Sequence, residues 1–327
     1  MNNILKKNGT YLLLIGLLFF TLAACGKSGA TGNGSEEYPN QSIEMVVPAS
    51  AGGDTDRNAR LLVTYLEKEL GVSIVVQNVV GSGGTIAVDE LLSAEPDGYR
   101  VLYFHNGILL NNILGLSENK YSDLAIAGIS ELDEGNGIVV KGDSKYKDIE
   151  DLIEAAKEKP QGINVGSLLG SFTHIQLLDI QEKEGIEFNF VDVGDHSDRN
   201  AALLGGQVDV IPTQLGLVSD YFKSGDMKPL AVFSEERLEQ FPDVPTFKEL
   251  DIDSTFEKFF FTAFPPETPN EVVDVFSKAL EKVSKNEEYI KKAKSYGITP
   301  TYIGSEEAEK MMEERQQAYQ AIYEKSK

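Results

Sequence analysis

Residues 43–71 read IEMVVPASAGGDTDRNARLLVTYLEKELG, and the order of their apolar positions decides the class of fold. Ile43 to Val47 is a short apolar run closed by Pro48, which reads as a buried strand. Beyond Ala51-Gly52-Gly53, residues Ala59, Leu62, Val63, Leu66 and Leu70 recur at spacings that put them on one face of a helix. Asp54 or Thr55 is expected to cap its start and Gly71 to end it. The cycle then repeats, with a strand at 74–76, a turn at GSGGT (81–85), a helix over 86–94 and a turn at Pro96-Asp97-Gly98. A third strand follows at 99–104. This βαβαβ order predicts a parallel sheet with helices on its faces.

Further along, a strand at 137–140 restarts the pattern, and no element is read between 105 and 136. Ile149, Leu152, Ile153 and Ala156 mark a helix that stops at Pro160. Ile163 to Val165 is the next strand, and the loop GSLLGSFTH (166–174) opens a helix through about residue 184. Strands at 188–191 and 208–211 flank a helix over 199–204, and 230–233 is a further candidate. Lys258 to Ala263 reads as a strand returning to the first lobe, after which the chain reads as helical over 271–284, 287–296 and 305–324. The expected architecture is α/β: two lobes joined by crossing strands.

The segment before Tyr38 carries no fold. Lys6 and Lys7 precede an apolar run from Tyr11 to Leu22, too short to span a bilayer comfortably, since spanning takes about 20 apolar residues. Leu22-Ala23-Ala24-Cys25 follows at once and resembles a bacterial lipobox. Residues 1–24 therefore read as a lipoprotein signal peptide and Cys25 as the lipidated residue. Residues 25–37, poor in apolar anchors, read as a lipidated flexible tether. Lobe 1 is assigned to 38–137 plus 262–327, and lobe 2 to 138–261.

The 327 residues hold 30 Lys and Arg against 52 Asp and Glu, a net charge of −22. Nucleic acid is excluded as a partner, because tracking phosphates requires clustered cations. The single Cys excludes a disulfide framework and cysteine-rich metal sites. His105, His174 and His196 lack metal-binding spacing, and G-x-G-x-x-G, Walker and G-x-S-x-G motifs are absent. No cofactor, metal or catalytic residue is assigned. Three loops precede helices and are rich in Gly with Ser or Thr: AGGDTD (51–56), GSGGT (81–85) and GSLLGS (166–171). Such loops bring backbone N–H donors and helix starts close to a ligand, a chemistry suited to a carboxylate. In open α/β sheets, ligands bind outside the strands' carboxyl ends, where these loops lie.

At this point the residues match a family. YPNQSIEMVVPASAGGDTDRNAR (38–60), VVQNVVGSGGTIAVDELLSAEPDGYRVLY (75–103), GINVGSLLGSFTH (162–174), LLGGQVDV (203–210), MKPLAVFSEERLEQFPDVPTFKEL (227–250) and PPETPNEVV (265–273) occur in family order. In this set the sequence resembles the extracytoplasmic solute receptors of tripartite tricarboxylate transporters, the Bug receptors. The resemblance implies a two-lobed, periplasmic-binding-protein-like (Venus flytrap) fold without catalysis. It implies capture of a small carboxylate: a tricarboxylate, dicarboxylate, acidic amino acid or aromatic acid.

Carried over by position, the resemblance places Ala51, Gly52, Gly53, Asp54 and Asp56 in a first binding loop and Gly83, Gly84 and Thr85 in a second. Ser167, Ser171 and Thr173 line the opposite lobe, with His174 a helix residue beside them. His105, Asn106 and Gly107 border the cleft. Asp56 is equally suited to bracing its loop. A bulky residue at Gly84 is expected to weaken ligand binding while folding persists.

Two departures bear on the ligand. Asp54 stands where the family usually has a small uncharged residue, and VDVGDHSDRN (191–200) lacks the usual Tyr-Lys-Gly pattern, bringing Asp192, Asp195 and Asp198 instead. With two or more of these carboxylates in the cleft, citrate is disfavoured and a zwitterionic, amine-bearing or metal-chelated ligand fits better. As helix caps they leave the ligand unconstrained. The expected partners are that ligand, the transmembrane permease subunits, and the cell membrane through the lipid anchor, with the chain a monomer. The alternatives are a sensory co-receptor and, with no motif in its favour, a cell-surface α/β hydrolase.

Overall fold

The structure, a computed structural model, describes residues 38–254 and 256–325. The signal peptide, Cys25 and the tether read from the sequence lie outside these residues. The strands are β1 (Ile43–Val47), β2 (Ile74–Asn78), β3 (Arg100–His105), β4 (Ala125–Asp133), β5 (Asn136–Lys141), β6 (Asn164–Ser167), β7 (Asn189–Asp192), β8 (Val210–Gln214), β9 (Met227–Val232), β10 (Lys258–Phe264) and β11 (Ile298–Gly304). The α-helices are α1 (Asp54–Leu70), α2 (Thr85–Leu92), α3 (Ile108–Ile113), α4 (Ile149–Glu158), α5 (Phe172–Glu184), α6 (His196–Leu204), α7 (Ser219–Ser224), α8 (Asn270–Ser284), α9 (Glu287–Lys294) and α10 (Ser305–Lys325).

Two sheets divide the strands. The first has six, in the order β11-β4-β10-β3-β1-β2, and the second five, in the order β7-β6-β8-β5-β9. The chain leaves the first sheet between Asp133 and Asn136 and returns to it at Lys258. β1 pairs parallel with β2 and β3, whereas β10 runs antiparallel between β3 and β4. In the second sheet β6 is parallel to β7 and β8, and β5 is antiparallel between β8 and β9. In each sheet the inserted antiparallel strand is the first one laid down after a crossing. This is the two-lobed periplasmic-binding-protein architecture expected from the sequence.

Strand periodicity builds the core. In β10, KFFFTAF, Phe259, Phe261 and Ala263 join one apolar cluster while Phe260 and Phe264 join the other, because alternate side chains leave opposite faces of a sheet. On one face of the first sheet, Leu62 and Leu66 of α1 and Phe276 and Leu280 of α8 pack over Met45 and Tyr103. On the other face, Val88 and Leu91 of α2 and Met312 of α10 cover Val46 and Leu102. Helix α10 contacts α3, β4 and also α5, which follows β6 of the second sheet, so it ties the two lobes together. Among the described residues, no helix is long and apolar enough to cross a membrane.

The structure differs from the sequence reading in four elements. α3 and β4 occupy the stretch where none was read, α7 was not read, and β11 interrupts the helical C-terminal third. β4 reads AIAGISELD, whose small and acidic residues have low strand propensity. It is nonetheless a buried inner strand, with Glu131 and Asp133 both fully inaccessible. Gly128 explains the close approach of β11: its φ is +148°, and a Cβ there would lie 2.8 Å from the Ile303 carbonyl oxygen. α6 begins at His196, three residues earlier than read. Gly53, not Asp54 or Thr55, is the residue before the first turn of α1, and Asp54 is the first helical residue. Gly71 ends α1 in the left-handed conformation, as read.

Candidate functional site

Loops from both sheets meet over a cavity of about 170 Å³. Ala49 to Ala51 and Gly53 to Thr55 line it from the loop between β1 and α1. Ser171 and Thr173 enter from the start of α5, Asp195 to Ser197 and Arg199 from α6, and His105 and Lys258 from β3 and β10. A more apolar cavity of about 470 Å³ shares Ser50, His105, Leu168, Ser171 and Asp195 with it and extends past Gly81 to Gly84, Leu116 and Leu169. The Ser50 hydroxyl donates to Asp195 Oδ2 at 2.7 Å, so one hydrogen bond spans from the first sheet's loop to the second sheet's helix.

The second loop needs its glycines for backbone reasons. Gly81, Ser82, Gly83 and Gly84 have φ of +130°, +47°, +64° and +93°, a succession that L-residues with side chains adopt only under strain. The turn between Val80 and α2 thereby brings three glycines, beside Val80 and Ser82, to the larger cavity.

The polar lining is organised by charge. Asp54 Oδ1 accepts from the Thr55 N–H at 2.7 Å, and its Oδ2 pairs with the Lys258 ammonium. Burial pushes the Asp54 carboxyl up, but Lys258, His105 and the Thr55 N–H outweigh it and hold it well below the usual carboxylate range. Asp195 caps α6 by accepting from the Ser197 N–H at 3.1 Å, and the Ser50 hydroxyl draws its pKa down. His105 is buried against Lys258, and both effects push its pKa well below the ordinary value, with Asp54 opposing. Its Nδ1 accepts from the Gly107 N–H at 2.9 Å, which places the proton of the neutral ring on Nε2. His196 is likewise lowered by burial and bonds Thr213 Oγ1 at 3.2 Å and Asn200 Nδ2 at 3.0 Å. Arg57 stacks over the Tyr296 ring at 4.4 Å. Arg199 keeps a buried Nε without a hydrogen-bond partner.

The lining therefore offers main-chain donors, hydroxyls and guanidinium to an anion between two lobes. Residues 58–327 match the model of the tripartite tricarboxylate transporter family receptor, TctC. The chain belongs to this family. A UPF0065 protein from the gbd 5′ region of Cupriavidus necator is 28% identical over 298 residues, covering 89% of each chain. The BugT protein of Bordetella pertussis is 26% identical over 294 residues, covering 88% of this chain and 89% of its own. Among solved structures, the periplasmic binding protein BugD is 26% identical with a TM-score of 0.80, covering 88% of this chain and 98% of its own. A Rhodopseudomonas palustris protein solved with adipate shares the fold at 24% identity and a TM-score of 0.79, covering 89% of this chain and 97% of its own. The family is that of receptors of tripartite tricarboxylate transporters, and the similar structures include a TctC solute-binding protein and a periplasmic binding protein.

In this TctC-family receptor, the residues singled out from the sequence fall into two groups. Ala51, Gly53, Asp54, His105, Ser171 and Thr173 line the smaller cavity, and Gly83, Gly84 and Gly107 the larger. Gly52, Asp56, Thr85, Asn106, Ser167 and Asp192 line neither. Asp56 braces the first loop, accepting from the Gly52 N–H at 2.8 Å, Arg60 Nε at 2.9 Å and Asn78 Nδ2 at 2.9 Å. Asn106 is buried and donates to the Glu257 carbonyl and the Tyr319 hydroxyl. Ser167 is buried at the end of β6 and Thr85 in α2, while Asp192 is exposed. His174 receives the Gly170 N–H and lies edge-on to Phe190. Of the loop aspartates, Asp195 both caps its helix and lines the two cavities, and Asp198 lines the larger. Gly84 requires a correction. It is buried, and a Cβ would lie 2.6 Å from the Phe104 ring, so a bulky residue there disturbs folding before it reports on binding.

Sequence reasoning missed Lys258, Arg199, Gln214 and Asn136 as cavity residues. For Lys258 a signal was present: a cation heading the apolar strand KFFFTAF must be buried and must find a carboxylate. For Arg199 none was, because an Arg one turn into a surface helix is ordinary.

Proposed function

We propose that the chain is the ligand receptor of a tripartite tricarboxylate transporter, held at the cell membrane by lipid on Cys25, that closes its lobes on a small carboxylate and delivers it to the permease. The two sheets support lobes divided between Asp133 and Asn136 and again just before Lys258, within a few residues of the bounds read from the sequence, 38–137 plus 262–327 for lobe 1 and 138–261 for lobe 2. The observation that carries the reading is the cavity lined from both sheets, in which the Ser50–Asp195 hydrogen bond spans the lobes and the buried Arg199 Nε has no hydrogen-bond partner. A ligand that touches both lobes favours the closed state by its differential affinity for it. The working unit in this reading is a monomer. The role is binding without turnover, a reading supported by membership of a family of solute receptors.

Two measurements test this. In a thermal-shift screen of protein lacking the tether, one carboxylate at about a hundredfold excess over its dissociation constant adds about 2.7 kcal/mol of stability and raises the melting temperature by several degrees. A screen in which no carboxylate or amino acid shifts the transition overturns the receptor reading. Replacing Cys25 with Ser is expected to move the protein from the membrane fraction to the soluble fraction of cells, and an unchanged distribution overturns the lipid anchor.

A further inference from the structure

The seat that the first loop would give to a ligand anion is held by an anion of the chain itself. Asp54 occupies the first turn of α1, takes the Thr55 N–H through one oxygen and pairs with Lys258 through the other. Asp195 adds a second carboxylate to the same cavity. Arg199 enters from α6 with its buried Nε free of any acceptor; the charges it faces are Asp54 and Asp195, neither of them in ion-pair contact with it. A ligand with two carboxylates would bring one of them, stripped of water, against Asp54 and Asp195, an arrangement of like charges that is costly. Asp54 Oδ1 accepts from the Thr55 N–H and hydroxyl, so an ammonium group in that place meets Oδ2 of Asp54 and Oδ2 of Asp195, each of which accepts one hydrogen bond from the chain.

We propose that the ligand is a small zwitterion, its carboxylate held by the Arg199 guanidinium and its ammonium group by Asp54, with Lys258 keeping Asp54 ionised and in place. The guanidinium suits the carboxylate because its planar fork donates two parallel hydrogen bonds. The inference rests on the receptor reading of the cavity and narrows it, making Arg199 and Asp54 the residues that set selectivity.

Calorimetric titration of the full chain with matched pairs tests it: succinate beside 4-aminobutyrate, adipate beside 6-aminohexanoate, and the common α-amino acids beside citrate and malate. Within a pair the length is the same and one carboxylate is exchanged for an ammonium. The expected result is that an amino carboxylate binds at least about tenfold more tightly than its dicarboxylate counterpart, and that Arg199→Gln weakens it about a hundredfold. Asp54→Asn leaves Lys258 buried without its partner, so the double variant Asp54→Asn/Lys258→Met, which keeps the site neutral, is measured with it. Both are expected to lose the preference for the ammonium. Tighter binding of the dicarboxylates, or parental affinity in Arg199→Gln, overturns the zwitterion and leaves the receptor reading intact. Silence of the whole panel overturns both.

Discussion

Replacing Lys258 with Met is expected to lower the stability of the protein by about 3 kcal/mol, a fall in melting temperature of roughly 5 to 10 °C. Lys258 heads β10, every residue of which is buried, and its side chain is 7% exposed against 23% for Asp54. Two charges withdrawn from water this far are tolerable only together, so deleting the cation strands the carboxylate. Asp133, fully buried at the first crossing, also faces Lys258 as the leading favourable charge and loses it as well. The sign with pH follows from Asp54. Its folded pKa is depressed, so the pair's contribution is complete above the ordinary carboxylate range and is lost only as acid protonates Asp54 below it. At pH 7 the full loss should therefore be seen in denaturant unfolding. Asp54→Asn combined with Lys258→Met should recover part of it, because the Asp54 charge is removed with its partner while Asp133 still lacks Lys258. A single variant that unfolds at the parental denaturant concentration would show that the pair carries no net stability.

The second large effect concerns Glu131. It lies inaccessible in β4 between the hydroxyls of Tyr103 and Tyr289, which both donate to it. Burial pushes its carboxyl up to about 7, the two tyrosines pull it down, and the Asp133 charge adds to the rise. The unfolded chain releases this proton near the ordinary value of 4.5, whereas the folded chain keeps it to about 7. Folding therefore takes up a proton between these values, and stability falls as pH rises through that window, by about 3 kcal/mol from this group. Glu131→Gln is neutral throughout and lacks this fall. Subtracting the parental stability from that of Glu131→Gln should give a curve that climbs by about 3 kcal/mol between pH 5 and pH 8. Residual slope from Asp133, whose carboxyl burial also pushes up to about 7, is present in both proteins. A flat difference curve sinks the assignment.

Local periodicity carried much of this molecule. Apolar spacing in 43–71 and alternation in KFFFTAF specify which element forms and which side faces inward, because both depend on residues within a turn or two of one another. Glycine runs marked the loops beside the cavity for a similarly local reason, the left-handed backbone from Gly81 to Gly84. Motif order along the chain was enough to reach the family. The strand β4 was illegible because its acids contradict strand propensity, and Glu131 becomes admissible there only beside tyrosines 28 and 158 positions away. The cavity's charge pattern was illegible for the same cause on a larger scale. Asp54 and Lys258 are 204 positions apart, and Ser50 and Asp195 are 145 apart. Whether a carboxylate is a solvated cap, a buried partner or an empty acceptor depends on what desolvates it and which charge stands opposite, and those are set by the packing of two sheets, not by neighbours in the chain.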